Sequence, residues 1–142
     1  MNNTATDLAE PREIRYDGVH CHLLIERYPN RVVVLRIRGT DIGEFGEAPM
    51  QALNGWMNDA APIDLFIDAR DVRGASIEVS GDWAAWLSAH RDTLKSVTML
   101  TGSRFIQLTA EFVRRFASLE GIMRICTEDR VFDRALADAL KS

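Results

Sequence analysis

The residues that most limit how this chain can fold are Ile63–Ile67, Ile-Asp-Leu-Phe-Ile, closed by Asp68. Pro62 precedes this short apolar run and the polar, glycine-bearing Ala69–Ser80 follows it, which fits a strand buried on both faces. A strand covered on both faces needs helices above and below, and that directs the chain to an α/β architecture. In open sheets of this kind, ligand and partner sites lie beyond the carboxyl ends of the strands. A working site is therefore expected between Asp68 and Trp86, with a helix opening at Ser80-Gly81-Asp82.

The remaining elements follow from periodicity. Residues 1–13 are polar and broken by Pro11, which reads as a flexible tail before a domain over 14–142. From Ile14 to Tyr28 apolar residues alternate weakly, with Val19, Cys21 and Leu23 sharing a face. Pro29-Asn30 marks a turn into Val32–Arg38. There Val33, Leu35 and Ile37 oppose Val32, Val34, Arg36 and Arg38, and two strands so joined form an antiparallel hairpin. Pro49 opens a helix carrying Met50, Leu53 and Met57 to about Asp59. A second helix, from Asp82 to about Leu94, places Trp83, Trp86, Leu87, His90 and Leu94 on one stripe.

A strand over 97–100 leads to Ser103 as a helix cap. In the helix after it, Phe105, Leu108, Thr109, Phe112 and Phe116 share a face, assigned to the core because aromatic residues dominate interiors. A strand over 122–126 and a helix turned inward by Phe132, Leu136 and Leu140 complete the pattern. The expected fold class is α/β: one domain, a mixed, mainly parallel sheet of about five strands with an N-terminal antiparallel hairpin, and about four helices.

Charge and composition exclude several function classes. A net charge of −4 gives no basic footprint for nucleic acid. No apolar run is long enough to span a membrane, and no signal-peptide core is present, so a cytoplasmic setting is expected. Cys21 and Cys126 both fall in apparent strands and read as buried, reduced thiols. There is no nucleophile elbow, phosphate loop or dinucleotide fingerprint, so neither enzymatic activity nor a cofactor is expected.

Asp68, Asp71 and Asp82 would suit a divalent cation, but Arg70 and Arg73 lie among them and favour local salt bridges instead. On a strand, His20 and His22 would share a face with Cys21 pointing away, two ligands where a closed zinc site needs four; no metal is expected. Ser80 serves either as a helix cap or as a phosphorylation site, with Ser76 a second candidate in the same loop. Trp83 and Trp86, with Phe105 and Phe112, form core or, alternatively, a pocket for a small apolar ligand between two helices.

The order of elements from Val19 to Leu140, Asp68 at the end of the central strand and the Ser80-Gly81 pair at the next helix start together resemble the STAS fold of bacterial anti-sigma-factor antagonists and of divergent stand-alone STAS-like domains. In regulatory members the serine or threonine of that pair is phosphorylated. The resemblance implies a non-enzymatic regulatory domain controlled at Ser80. Its partner would be a protein such as an anti-sigma factor or kinase-like regulator, met through Asp68, Arg73, Ser80, Gly81, Asp82 and Trp83. Glu78 and Val79 stand where the family's regulatory motif carries an aspartate, and two tryptophans follow where smaller residues are usual. Self-association is left open.

Overall fold

In the computed structural model, which describes residues 12–57 and 62–141, six strands form one sheet in the sequential order β1 to β6. β1 (Arg12–Asp17), β2 (Cys21–Tyr28) and β3 (Val32–Asp41) make an antiparallel meander. β4 (Ile63–Ala75), β5 (Leu94–Thr101) and β6 (Met123–Cys126) then add in parallel to β3. Four helices complete the fold: α1 (Ala48–Met57), α2 (Ile77–Ala89), α3 (Arg104–Phe116) and α4 (Asp129–Lys141). A single 3₁₀ turn, Arg91–Thr93, leads from α2 into β5.

The alternation along β3 assigns the two faces as its sequence requires. Val33 and Leu35 join Leu23, Leu65, Ile67 and Val97 beneath α1, α2 and α3. Val32 and Val34 join Phe66, Leu100 and Cys126 beneath α4. Three helices thus cover one face, and α4 alone covers part of the other.

Several sequence expectations shift, among them the helix carrying Trp83 and Trp86, which ends at Ala89 so that Leu94 opens β5. The stretch 14–28 is two strands, because Gly18-Val19-His20 is a turn between β1 and β2; Val19 does not face the core but is 86% exposed. The sheet therefore has six strands rather than five, and β1 begins at Arg12, inside the stretch read as tail. The rest of that tail, and the expected helix end near Asp59, lie outside the described residues.

β4 also does not stop at Asp68. It continues to Ala75 because β3 runs alongside it, with Arg38 opposite Asp71 and Asp41 opposite Ala75. Gly39 makes this extension possible. It sits at φ +92° where the β3–β4 register shifts, and a side chain there would collide with the His20 carbonyl, which accepts the Thr40 N–H at 2.8 Å.

Candidate functional site at the carboxyl edge of the sheet

β4, β5 and β6 each end on the same edge, and α2, α3 and α4 start there. Asp68 is buried just inside this edge, where its carboxylate binds two arginines: Arg36 Nη1 at 3.0 Å and Arg70 Nε at 2.9 Å. Arg36 also holds Glu26 at 2.9 Å, and Arg70 reaches Asp129 and Asp133 on α4 at 3.3 and 3.0 Å. The result is a chain of alternating charges from β2 through β3 and β4 to α4. Hydrogen bonding to Asp68, and then to Asp133, outweighs burial and pushes the Arg70 pKa well up. Burial opposes the Arg36 charge, but Glu26 and Asp68 outweigh it in the same way. Both guanidiniums stay charged. Their chemistry is structural clamping, with Asp68 held by Arg70 beside it in the sequence and by Arg36 opposite it on β3.

The start of α2 differs from expectation. Ser76, not Ser80, is the cap: its Oγ accepts the Val79 N–H at 3.1 Å, and its own N–H donates to the Asp41 carbonyl at 2.9 Å. With β4 continuing to Ala75, the helix must begin at once. Ser80 lies inside the first turn, half-buried, and lines a cavity of about 100 Å³ between α2 and α3. The walls are almost entirely apolar, from Leu35, Ile67, Met99 and Val113 among others, with only Asp41, Ser80 and Thr109 polar.

α3 turns the opposite way from its expected orientation. The residues it buries are Ile106, Ala110 and Val113, while Phe105, Leu108, Phe112 and Phe116 are each more than half exposed. Phe112 and Phe116 stack in the open at 6.0 Å with rings nearly parallel. Arg104, Arg114 and Arg115 lie on the same helix against one carboxylate, Glu111, which hydrogen-bonds Gln107. Ser103 caps the helix start, and Arg91 Nε donates to the Ser118 carbonyl just beyond its end. The helix is thus fixed at both ends with its aromatic stripe outward.

No family model matches the chain, and no curated protein does. Among solved structures, it is similar to the crystal structure of an uncharacterized protein of the DUF3478 family with a SpoIIAA-like fold, from Shewanella loihica PV-4. The TM-score is 0.62 at 18% identity, over 85% of this chain and 98% of that one. The chain has a SpoIIAA-like fold. This bears out the STAS-like architecture expected from the order of elements.

Within this SpoIIAA-like domain, several expected site residues fall apart. Phe105 and Phe112 do not meet Trp83 and Trp86 around a pocket; the cavity between those helices is closed on the α3 side by Ile106, Thr109, Ala110 and Val113. Thr109 lies with the inward residues of α3, not on the outward stripe. Trp83 and Trp86 touch edge-to-face at 6.0 Å, and Trp86 Nε1–H donates to Asn54 of α1 at 2.8 Å. Arg73, Gly81 and Asp82 are exposed.

His20 lies in the β1–β2 turn and His22 on β2, where it meets Asp17 at 2.8 Å, so the two histidines do not form the expected strand pair. Cys21 and Cys126 are free thiols on β2 and β6, with three strands between them in the sheet, and burial pushes Cys21 up to about 11. Among the described residues, no helix is long and apolar enough to cross a membrane.

Asp41 escaped sequence reasoning altogether. The only available signal was its place after a strand of alternating valines, before a glycine-rich loop.

Proposed function

We propose that this SpoIIAA-like domain is a non-enzymatic, cytoplasmic regulatory module that docks a partner protein on the outward face of α3. The observation that carries it is the stripe Phe105, Leu108, Phe112 and Phe116. Single exposed apolar residues are ordinary, but four large ones aligned on one helix form a patch of the kind that marks interaction surfaces. Three arginines against one glutamate on this helix select the occupant by charge: an apolar helix with acidic flanks, belonging to another protein. The likeness to anti-sigma-factor antagonists supports an anti-sigma factor or kinase-like regulator as its source.

Control would act through the α2 start. A phosphoryl group on Ser76 would meet the positive end of α2 and displace its cap. Ser80, half-buried at the cavity between α2 and α3, would bring that charge against apolar walls. Arg73, Gly81 and Asp82 are exposed near that start, and Trp83 is half-buried beside them. Partner binding that is indifferent to both Ser76→Asp and Ser80→Asp would remove the switch.

The docking surface is tested by placing a photo-crosslinking amino acid at Leu108 in native cells and identifying the captured protein by mass. That protein, purified, is then titrated against wild type and Phe112→Ser. The expected result is saturable binding that Phe112→Ser weakens by about 10-fold or more. Self-association abolished by Phe112→Ser, or flotation with anionic vesicles in place of protein binding, would assign the stripe to another occupant and overturn the proposal.

A second reading, a carrier of a small apolar ligand, draws on the cavity between α2 and α3. At about 100 Å³ it is smaller than a roughly 150 Å³ cavity known to hold benzene, so a larger ligand requires these helices to part. Tryptophan fluorescence that stays flat across a fatty-acid panel would dismiss it.

A further inference from the structure

On the other side of α2, a separate cleft opens between α2 and α1. Its volume of about 480 Å³ falls in the usual range for small-molecule sites, roughly 300–1,000 Å³. The chemistry of its walls is one-sided. Asp41, Glu47 and Asp82 line it, and among the described residues no lysine, arginine or histidine does. Phe45, Trp83 and Trp86 supply aromatic surface.

The aromatic wall is held in place before any ligand arrives. Trp86 is fixed by its hydrogen bond to Asn54 and by the His90 ring stacked on it at 4.4 Å. Trp83 in turn meets Trp86 edge-to-face.

The carboxylates lack cationic partners. Among the described residues, no ion pair engages Asp41, Glu47 or Asp82. Asp41 Oδ1 accepts the Gly43 N–H at 3.0 Å. Burial, aided by the charge of Glu44, pushes the Asp41 carboxyl above its usual range, so its ionised form is disfavoured. A cation beside it would reverse that penalty. A bare metal ion fits poorly, since no three ligating side chains converge among the described residues. Aromatic faces combined with carboxylates instead suit a diffuse positive charge on carbon-bearing nitrogen.

We propose that the α1–α2 cleft binds an organic cation, an ammonium head on a compact apolar body, with Asp41 as its counter-charge, Glu47 and Asp82 adding to the negative field of the walls, and Phe45 and Trp83, backed by Trp86, as the aromatic surface. This site lies apart from the α3 stripe and does not depend on partner docking there. It also differs in chemistry from the apolar cavity between α2 and α3, although Asp41 and Trp83 line both.

The test titrates the full chain with benzyltrimethylammonium, and with benzyl alcohol and phenylacetate as neutral and anionic probes, at fixed ionic strength. Backbone amide shifts locate binding. The expected result is saturable binding of the ammonium, with shifts confined to residues 41–54 and 79–86, at least about 10-fold tighter than either control. Asp41→Asn should weaken it about 10-fold, a loss near 1.4 kcal/mol. The surface pair Glu47→Gln with Asp82→Asn, which cannot unfold the domain by opening its core, should weaken it several-fold. Equal affinity for benzyl alcohol, absence of saturation, or shifts centred on α3 would each overturn the proposal.

Discussion

Helices α3 and α4 are each 13 residues long and each carries phenylalanine at helical spacing, yet Phe132 of α4 is fully buried while Phe112 of α3 is 61% exposed. The difference lies in how many apolar stripes each helix offers. α4 offers one, Phe132, Leu136 and Leu140, and it lands on Phe66, Leu100 and the valines of β3. Phe66 and Phe132 meet edge-to-face at 5.8 Å and fill the space between sheet and helix.

α3 offers two, and the sheet can accept only one. The stripe that wins contains Ile106, Ala110 and Val113, with Ala117 just beyond. Its small residues let the helix come close to strands already crowded by α2, and the bulkier stripe is left to solvent. Aromatic content says that a face is apolar, not that it is inside. Beneath α3 the packing is also incomplete, leaving the cavity lined by Ser80 and Thr109.

The contrast is sharpest in the two phenylalanines. Phe132→Ala should destabilise the fold by about 3–5 kcal/mol in chemical denaturation, as expected for emptying a buried aromatic site. A loss under about 1 kcal/mol would mean that α4 is not seated as described. Arg70→Ala should cost about 1–3 kcal/mol, because it removes one of the two cations on buried Asp68 along with the tie to α4. The estimate stays modest because Asp129 and Asp133 are largely solvated.

Asn30 sharpens the contrast from the other end of α4. Its Nδ2 donates to the Ala139 and Leu140 carbonyls at 2.9 and 2.8 Å, so the β2–β3 turn closes the end of that helix. Asn30→Ala should cost about 1 kcal/mol and raise amide exchange in the last turn of α4 while leaving α3 unchanged.

Asp41, beneath α3, should move stability the other way. Its pKa is raised in the folded state, so ionisation disfavours folding; the penalty begins as pH climbs past the unfolded-state value and is complete above the folded one. Asp41→Asn should therefore raise Tm at neutral pH and leave it unchanged near about pH 3. A lower Tm at neutral pH would show that the carboxylate has a cationic partner in the folded protein. Phe112→Ser should have the smallest effect, within about 0.5 kcal/mol, while removing partner binding. Marked destabilisation there would break the comparison, since it would require Phe112 to be packed.

Much of the fold was legible in the sequence because side-chain periodicity is a local property. The alternation of Val32–Arg38 assigned both faces of β3 correctly, Ile63–Ile67 identified the buried central strand, and Phe132 and Leu136 pointed α4 inward. Arg70, next to Asp68 in the sequence, foretold one of its two ion pairs; the other comes from Arg36 on the neighbouring strand, and Arg73 is exposed and does not pair with Asp68. The candidate site was less legible. Gly81 appeared to open a helix but lies within one, because residues 69–75 carry no strand pattern of their own and become strand only through β3 beside them.

The sequence by itself determined the α/β class, the two faces of β3 and the inward stripe of α4. Tertiary structure alone decided where α2 starts, which of the two α3 stripes faces solvent, and that Asp41 shares a cleft with Trp83. The reason is one of range. Periodicity is set by neighbours in the chain, whereas the start of a helix after a paired strand, the choice between two apolar faces and the lining of a cleft depend on residues brought together from dozens of positions away.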